Sequence, residues 1–182
     1  TIEVQDLVSS KCFIAVEGES GTSFSGGVYM TTGMLDYTAE PEWWQIGAVE
    51  GIPTCIAYSK EANYLWVGTL EGRLFRLSNI SRATTEETAD ITSPGCIIAM
   101  TEISLETTQA ITSLSVDPKN AENVVFTLGN YGNMDYVFAS TDGMSDVPTF
   151  ASIQGNLPKM PTYSSTFEVN ANGLVFVGTE NG

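Results

Sequence analysis

Twenty-two acidic side chains, seven basic ones and not one histidine set the chemistry open to this chain of 182 residues. Without imidazole the commonest general base and metal ligand are missing, so catalysis would have to run on carboxylates. Cleaving a glycosidic bond takes two carboxyl groups about 5–10 Å apart across a sugar ring. Asp36, Glu40, Glu42, Asp135 and Asp146 fall on expected loops, yet no pair has a spacing that selects it, and no catalytic residue is assigned. Oxygen ligands for calcium are present in Asn130, Asn133, Asp135, Asp142 and Asp146, but they follow neither the EF-hand nor the nonapeptide pattern. No cofactor is expected, with Ca2+ the alternative. Cys12, Cys55 and Cys96 lie far apart, each in an apolar run. An odd count without CxxC spacing fits free thiols buried as small hydrophobes, one disulfide being the alternative, and no metal site is expected. Phosphate loops, nucleophile elbows and Cys/His arrangements are absent from the sequence.

The formal net charge of −15 would repel nucleic acid and anionic membrane surfaces, and it reads as the solubility of a secreted surface. No apolar run approaches the roughly 18 residues a membrane-spanning helix needs, so no membrane insertion is expected.

The elements that would carry any site are short strands. Helical periodicity is nearly absent, and alternating runs rich in Val, Ile, Thr, Tyr and Phe recur between Gly, Asn, Asp, Ser or Pro. Leu65-Trp66-Val67-Gly68-Thr69 returns as Val175-Phe176-Val177-Gly178-Thr179, 110 positions on. Val28-Tyr29-Met30-Thr31 returns as Val137-Phe138-Ala139-Ser140 at an offset of 109. A related strand between the two halves that distance into units of roughly 50–60 residues, the period of an array whose units bury their apolar faces against one another. The first unit is expected to hold strands at 2–8, 12–16, 28–32 and 43–46. The second holds 54–58, 64–68, 73–77 and 96–100, with an exposed polar loop at 81–90. The third holds 111–116, 124–127, 136–140 and 150–153, its first strand ended by the Asp117-Pro118-Lys119-Asn120 turn. The fourth starts with 165–169 and 174–178. Gly68 and Gly178 mark close approach of the backbone, and Gly72 and Gly182 mark hairpin turns with positive φ.

The expected fold is therefore all-β: a partial β-propeller of about three and a half four-stranded antiparallel blades, at approximately 1–50, 51–107, 108–157 and an incomplete 158–182. A chain that begins at Thr1 and ends at Gly182 after a hairpin signal reads as a piece of a larger polypeptide. The remaining blades would come from the same polypeptide or from another chain.

Ser140-Thr141-Asp142-Gly143, followed by Phe150, resembles the Asp-box or BNR repeat, Ser/Thr-x-Asp-x-Gly-x-x-x-Trp, of the turn between a blade's third and fourth strands. Gly143 directly follows Asp142 here, and Phe150 replaces Trp. Thr31-Thr32-Gly33 with Trp43 holds the equivalent place in the first unit, with Asp36 the only substitute for the aspartate. The second unit lacks a box but is similar to regulator-type propeller repeats. The resemblance implies that Ser140, Asp142, Gly143 and Phe150 maintain the fold, the carboxylate accepting backbone N–H bonds over the tucked aromatic. The Asn156-Leu157-Pro158 linker and the strand after it are similar to repeats of large secreted Bacteroidota proteins, including type IX secretion cargo. That likeness implies a secreted, cell-surface or periplasmic location.

Asp-box propellers include sialidases and xyloglucan-active glycosidases, and part of such an enzyme is the alternative function. A sialidase-like site would need three converging arginines, whereas Arg73, Arg76 and Arg82 share one unit and the first two face opposite sides of a strand. The favoured reading is a noncatalytic scaffold or a protein- or glycan-binding module. Its ligand surface would lie on the aromatic loops at 36–44 and 130–135, with Trp44, Tyr37 and Tyr131 as the candidate contacts. Only one of Trp43 and Trp44 can point into a given blade face, leaving the other to stack on a sugar or pack against a neighbouring blade.

Overall fold

A computed structural model describes residues 11–18, 26–36, 38–59 and 63–181. The described residues form four antiparallel sheets, each a meander of strands in chain order. Sheet one holds β1 (Cys12–Val16), β2 (Gly27–Thr31) and β3 (Trp44–Gly47). Sheet two holds β4 (Pro53–Tyr58), β5 (Leu65–Thr69), β6 (Leu74–Ser78) and β7 (Ala99–Ile103). Sheet three holds β8 (Ile111–Asp117), β9 (Asn120–Leu128), β10 (Val137–Ser140) and β11 (Ala151–Ser152). Sheet four holds β12 (Thr162–Phe167) and β13 (Val175–Thr179).

Sheet two shows why the sheets stack as blades. All five residues of β5 are buried, the mark of a strand covered on both faces. Period-two alternation then sorts its side chains between two cores. Leu65, Val67, Phe75 and Leu77 pack with Val28, Met30 and Ile46 of sheet one. Trp66 and Leu74 pack with Ile111, Leu114, Val124 and Phe126 of sheet three.

The sheets fan rather than stack in a slab, because they approach most closely at their first strands, β4 to β8 to β12, and less at the strands outside these. Hydroxyls on the first strands tie neighbour to neighbour. Thr54 donates to the Ile111 carbonyl, and Thr112 donates to that of Thr162. Ser113 Oγ lies 3.0 Å from Ser165 Oγ and accepts the Ser165 N–H at 3.0 Å, while Ser115 Oγ accepts that of Phe167 at 3.3 Å. At Gly68 any Cβ would come within 2.6 Å of Ile111 Cγ2 and 2.9 Å of Cys55 Sγ, so glycine is required where β5 passes under the next sheet. Gly72 turns the β5–β6 hairpin at φ 81°.

Strand expectations hold with local corrections. The expected strand at 2–8 and Gly182 lie outside the described residues. Lys11 Nζ donates to the carbonyls of Ile80 (2.7 Å) and Ala83 (3.2 Å), so β1 begins where β6 ends and runs in the direction of β5. Sheet one thus presents the equivalents of second, third and fourth strands. The expected strand at 96–100 is displaced to β7, because Ile97 N–H bonds back to Thr88 O (3.0 Å) and the Cys96 thiol to Ala89 O (3.5 Å). The expected loop at 81–90 contains a helical turn, α1 (Glu86–Ala89), with Ala83 and Ala89 fully buried. The strand expected at 165–169 runs three residues earlier in its start, at Thr162, and ends at Phe167. Asp117 and Asn120 pair across the Pro118-Lys119 turn as expected.

Candidate functional site

Antiparallel order sends the loops to two rims. The β2–β3 and β10–β11 loops lie on the rim where β6 also ends, here the upper rim, and the β9–β10 loop on the opposite, lower rim. Trp44 stands at the upper start of β3, in register with Met30, and is half-buried on the sheet-one core. Beside it lies a cavity of about 240 Å³ lined by Thr32, Asp36, Glu40, Pro41 and Trp44. Tyr37 lies outside the described residues. Tyr131 is on the lower rim, 67% exposed, and donates its hydroxyl to Glu180, whose carboxylate raises the phenol pKa. Trp44 and Tyr131 therefore do not share a site.

The β10–β11 loop is organised around Asp142. Ser140 Oγ donates to Asp142 Oδ1 at 2.7 Å, Thr149 N–H donates to the same oxygen at 2.9 Å, and Thr149 Oγ1 donates to Oδ2 at 2.9 Å. These bonds, that from Ser140 foremost, hold the carboxyl below its ordinary range. Gly143 passes so close to sheet three that a Cβ would meet Val124 Cγ2 at 2.9 Å, and its N–H bonds Glu122 O at 2.9 Å. Phe150 packs edge-on to Trp66 (6.0 Å between centroids, 87°) and 5.1 Å from Phe126. All four residues are thus engaged in internal contacts.

Arg76 ties this loop to the neighbouring sheet, a role the sequence reading missed. It is only 7% exposed and lies opposite Trp66 in the β5–β6 register. Its Nη1 donates to the carbonyls of Gly143 (2.5 Å) and Ser145 (2.7 Å), and the guanidinium sits over the rings of Tyr64 (5.6 Å) and Trp66 (5.8 Å). Arg73 points the other way, as period-two alternation requires, and pairs at the surface with Glu50 and Glu102, each at 2.7 Å. Arg82 bonds Asn79 Oδ1 at 3.2 Å, so the three arginines do not converge.

The oxygen donors considered for calcium divide between rims: Asn130, Asn133 and Asp135 on the lower, Asp142 and Asp146 on the upper. Among the described residues no group of three or more Asp, Glu, Cys or His side chains gathers to hold a metal ion. The three cysteines are free and half-buried, and burial pushes the Cys55 thiol up to about 11. Gln154 was also missed. Nearly fully buried, it accepts the Tyr136 N–H at 2.9 Å and donates to the carbonyls of Leu157 (3.1 Å) and Pro158 (2.9 Å), clipping the β11–β12 connection to the base of β10. Its legible signal was position alone: an amide just after the last strand of a unit and just before Asn156-Leu157-Pro158.

No protein-family model matches the chain, and no curated protein matches it. Among solved structures it is similar to the β-propeller domain of Myceliophteria thermophila Cps50 (Swd1), with 11% identity and a TM-score of 0.38 over 87% of this chain. The match spans 62% of that domain, so the chain covers less than two thirds of its length.

Proposed function

We propose that this chain is a noncatalytic part of a β-propeller, a scaffold or a protein- or glycan-binding module of a secreted or cell-surface protein. Further blades, from the same polypeptide or another chain, complete the ring. The observation that carries this reading is where the reactive groups spend their bonds. Asp142, Arg73 and Arg76 are each held by internal partners, while large side chains such as Tyr131 (67% exposed) and Met134 (75% exposed) face outward on a rim loop. In this reading the β10–β11 loop is an Asp-box-type turn with Ser140, Asp142, Gly143 and Phe150 in structural roles, and no cofactor takes part.

Incubation with sialylated and xyloglucan oligosaccharides tests the noncatalytic claim. The substrates are expected to be recovered intact, and released sugar contradicts it. A glycan array probed with the wild type, Trp44→Ala and Tyr131→Ala locates the binding surface. A signal lost only with Trp44→Ala places recognition on the upper rim, one lost only with Tyr131→Ala on the lower. A glycan signal unchanged in both removes these aromatics as the ligand contacts.

A further inference from the structure

The geometry points to a halide site buried between sheets two and three beneath the β10–β11 loop. Three buried polar atoms lack any hydrogen-bond partner: Trp66 Nε1, Arg76 Nε and Ser145 Oγ. They belong to one cluster. Trp66 and Arg76 are cross-strand partners with the guanidinium over the indole ring, and Ser145 already accepts from the same guanidinium through its carbonyl.

The cluster is rich in donors and carries a charge without a counterion. Indole N–H and guanidinium Nε–H can only donate, and the serine hydroxyl can donate as well. Arg76 is 7% exposed and, among the described residues, no carboxylate lies within ion-pair reach of it. The carboxylates of the overlying loop and of β9 are held elsewhere or face solvent. Asp142 serves Ser140 and Thr149, and Glu122 Oε2 accepts the Met144 N–H at 2.9 Å, while Asp146 next to Ser145 is exposed. Buried charges are costly unless paired, and two carbonyl dipoles with two aromatic faces supply only partial compensation. A water has only two lone pairs to offer three donors and brings no charge to the guanidinium. A halide accepts all three donors and supplies the missing negative charge.

Bromide is the probe, since it substitutes for chloride and scatters anomalously. Raising bromide from 10 mM to 1 M at constant ionic strength, with fluoride as the balancing anion, is expected to raise the Tm of the protein by on the order of 5 °C, because an ion bound only by the native state stabilises it. Trp66→Phe keeps an aromatic side chain while losing the N–H and part of the indole, and Ser145→Ala removes one hydroxyl. Each is expected to fold and to lose at least half of that rise. Bromide-soaked crystals are expected to show an anomalous peak within hydrogen-bond reach of Arg76 Nε. A Tm independent of bromide, a rise undiminished in both variants, or a water in place of the peak overturns the proposal.

Discussion

The two faces of sheet two solve the same packing problem with different chemistry. Toward sheet one, Leu65, Val67, Phe75 and Leu77 meet Val28, Met30 and Ile46, and the contact is apolar. Toward sheet three, the corresponding layer contains Trp66, Leu74 and the buried guanidinium of Arg76, which reaches across to two loop carbonyls. An apolar face tolerates volume-conserving exchange, because hydrophobic burial is non-directional. A buried guanidinium is directional, and fixes the neighbouring loop in one position as well as filling space. One face therefore supplies cohesion, while the other also sets the placement of the upper rim.

Substitutions can break this contrast. Leu77→Ala should cost about 3 kcal/mol, from lost burial and the cavity left behind, and urea titration should show it without a change in the β10–β11 loop. Arg76→Ala should cost about 2–3 kcal/mol, because the Gly143 and Ser145 carbonyls lose their donor. Unlike Leu77→Ala, it should also expose the amides of residues 143–149 to hydrogen exchange beyond the global loss of stability. Equal exchange in the two variants would erase the distinction. Gly68→Ala should cost about 1–2 kcal/mol, since its Cβ would collide with Ile111 of the next sheet and with Cys55, its partner on β4.

The smaller effects sharpen the picture. The Asp142 carboxyl is held below its ordinary value, so its contribution is present above about pH 4, the unfolded value, and is lost as pH falls through the folded one. The Tm difference between wild type and Asp142→Asn should therefore be visible at pH 7 and shrink below pH 4. Arg73→Ala, one strand face away from Arg76, should leave Tm nearly unchanged, since surface ion pairs contribute little.

Much of the fold was legible because strands covered on one or both faces leave period-two or continuous apolar runs. The recurrence of Gly68 at Gly178 places both on second strands, β5 and β13, and that of Val28 at Val137 places both on β2 and β10, the third-strand positions. Two misplacements have local causes. A helical turn as short as α1 has too few residues for a periodicity, and the bonds of Cys96 and Ile97 back to its Ala89 and Thr88 delay β7 by three residues. The candidate site was less legible. Asp142 and Phe150 stood out through their neighbours in sequence, but Arg76 acts through residues 67 and 69 positions away on another sheet. No local pattern encodes that reach.

The fan of sheets requires first strands to lie side by side, β4 to β8 to β12. Ser113 Oγ and Ser165 Oγ, on β8 and β12, are 3.0 Å apart, close enough for cysteines there to meet disulfide geometry. In a background with Cys12, Cys55 and Cys96 replaced by Ala, the Ser113→Cys, Ser165→Cys pair should oxidise quantitatively in the native protein and raise Tm. A pair that stays reduced in the folded protein, with both thiols accessible to reagent, would contradict the fan of sheets.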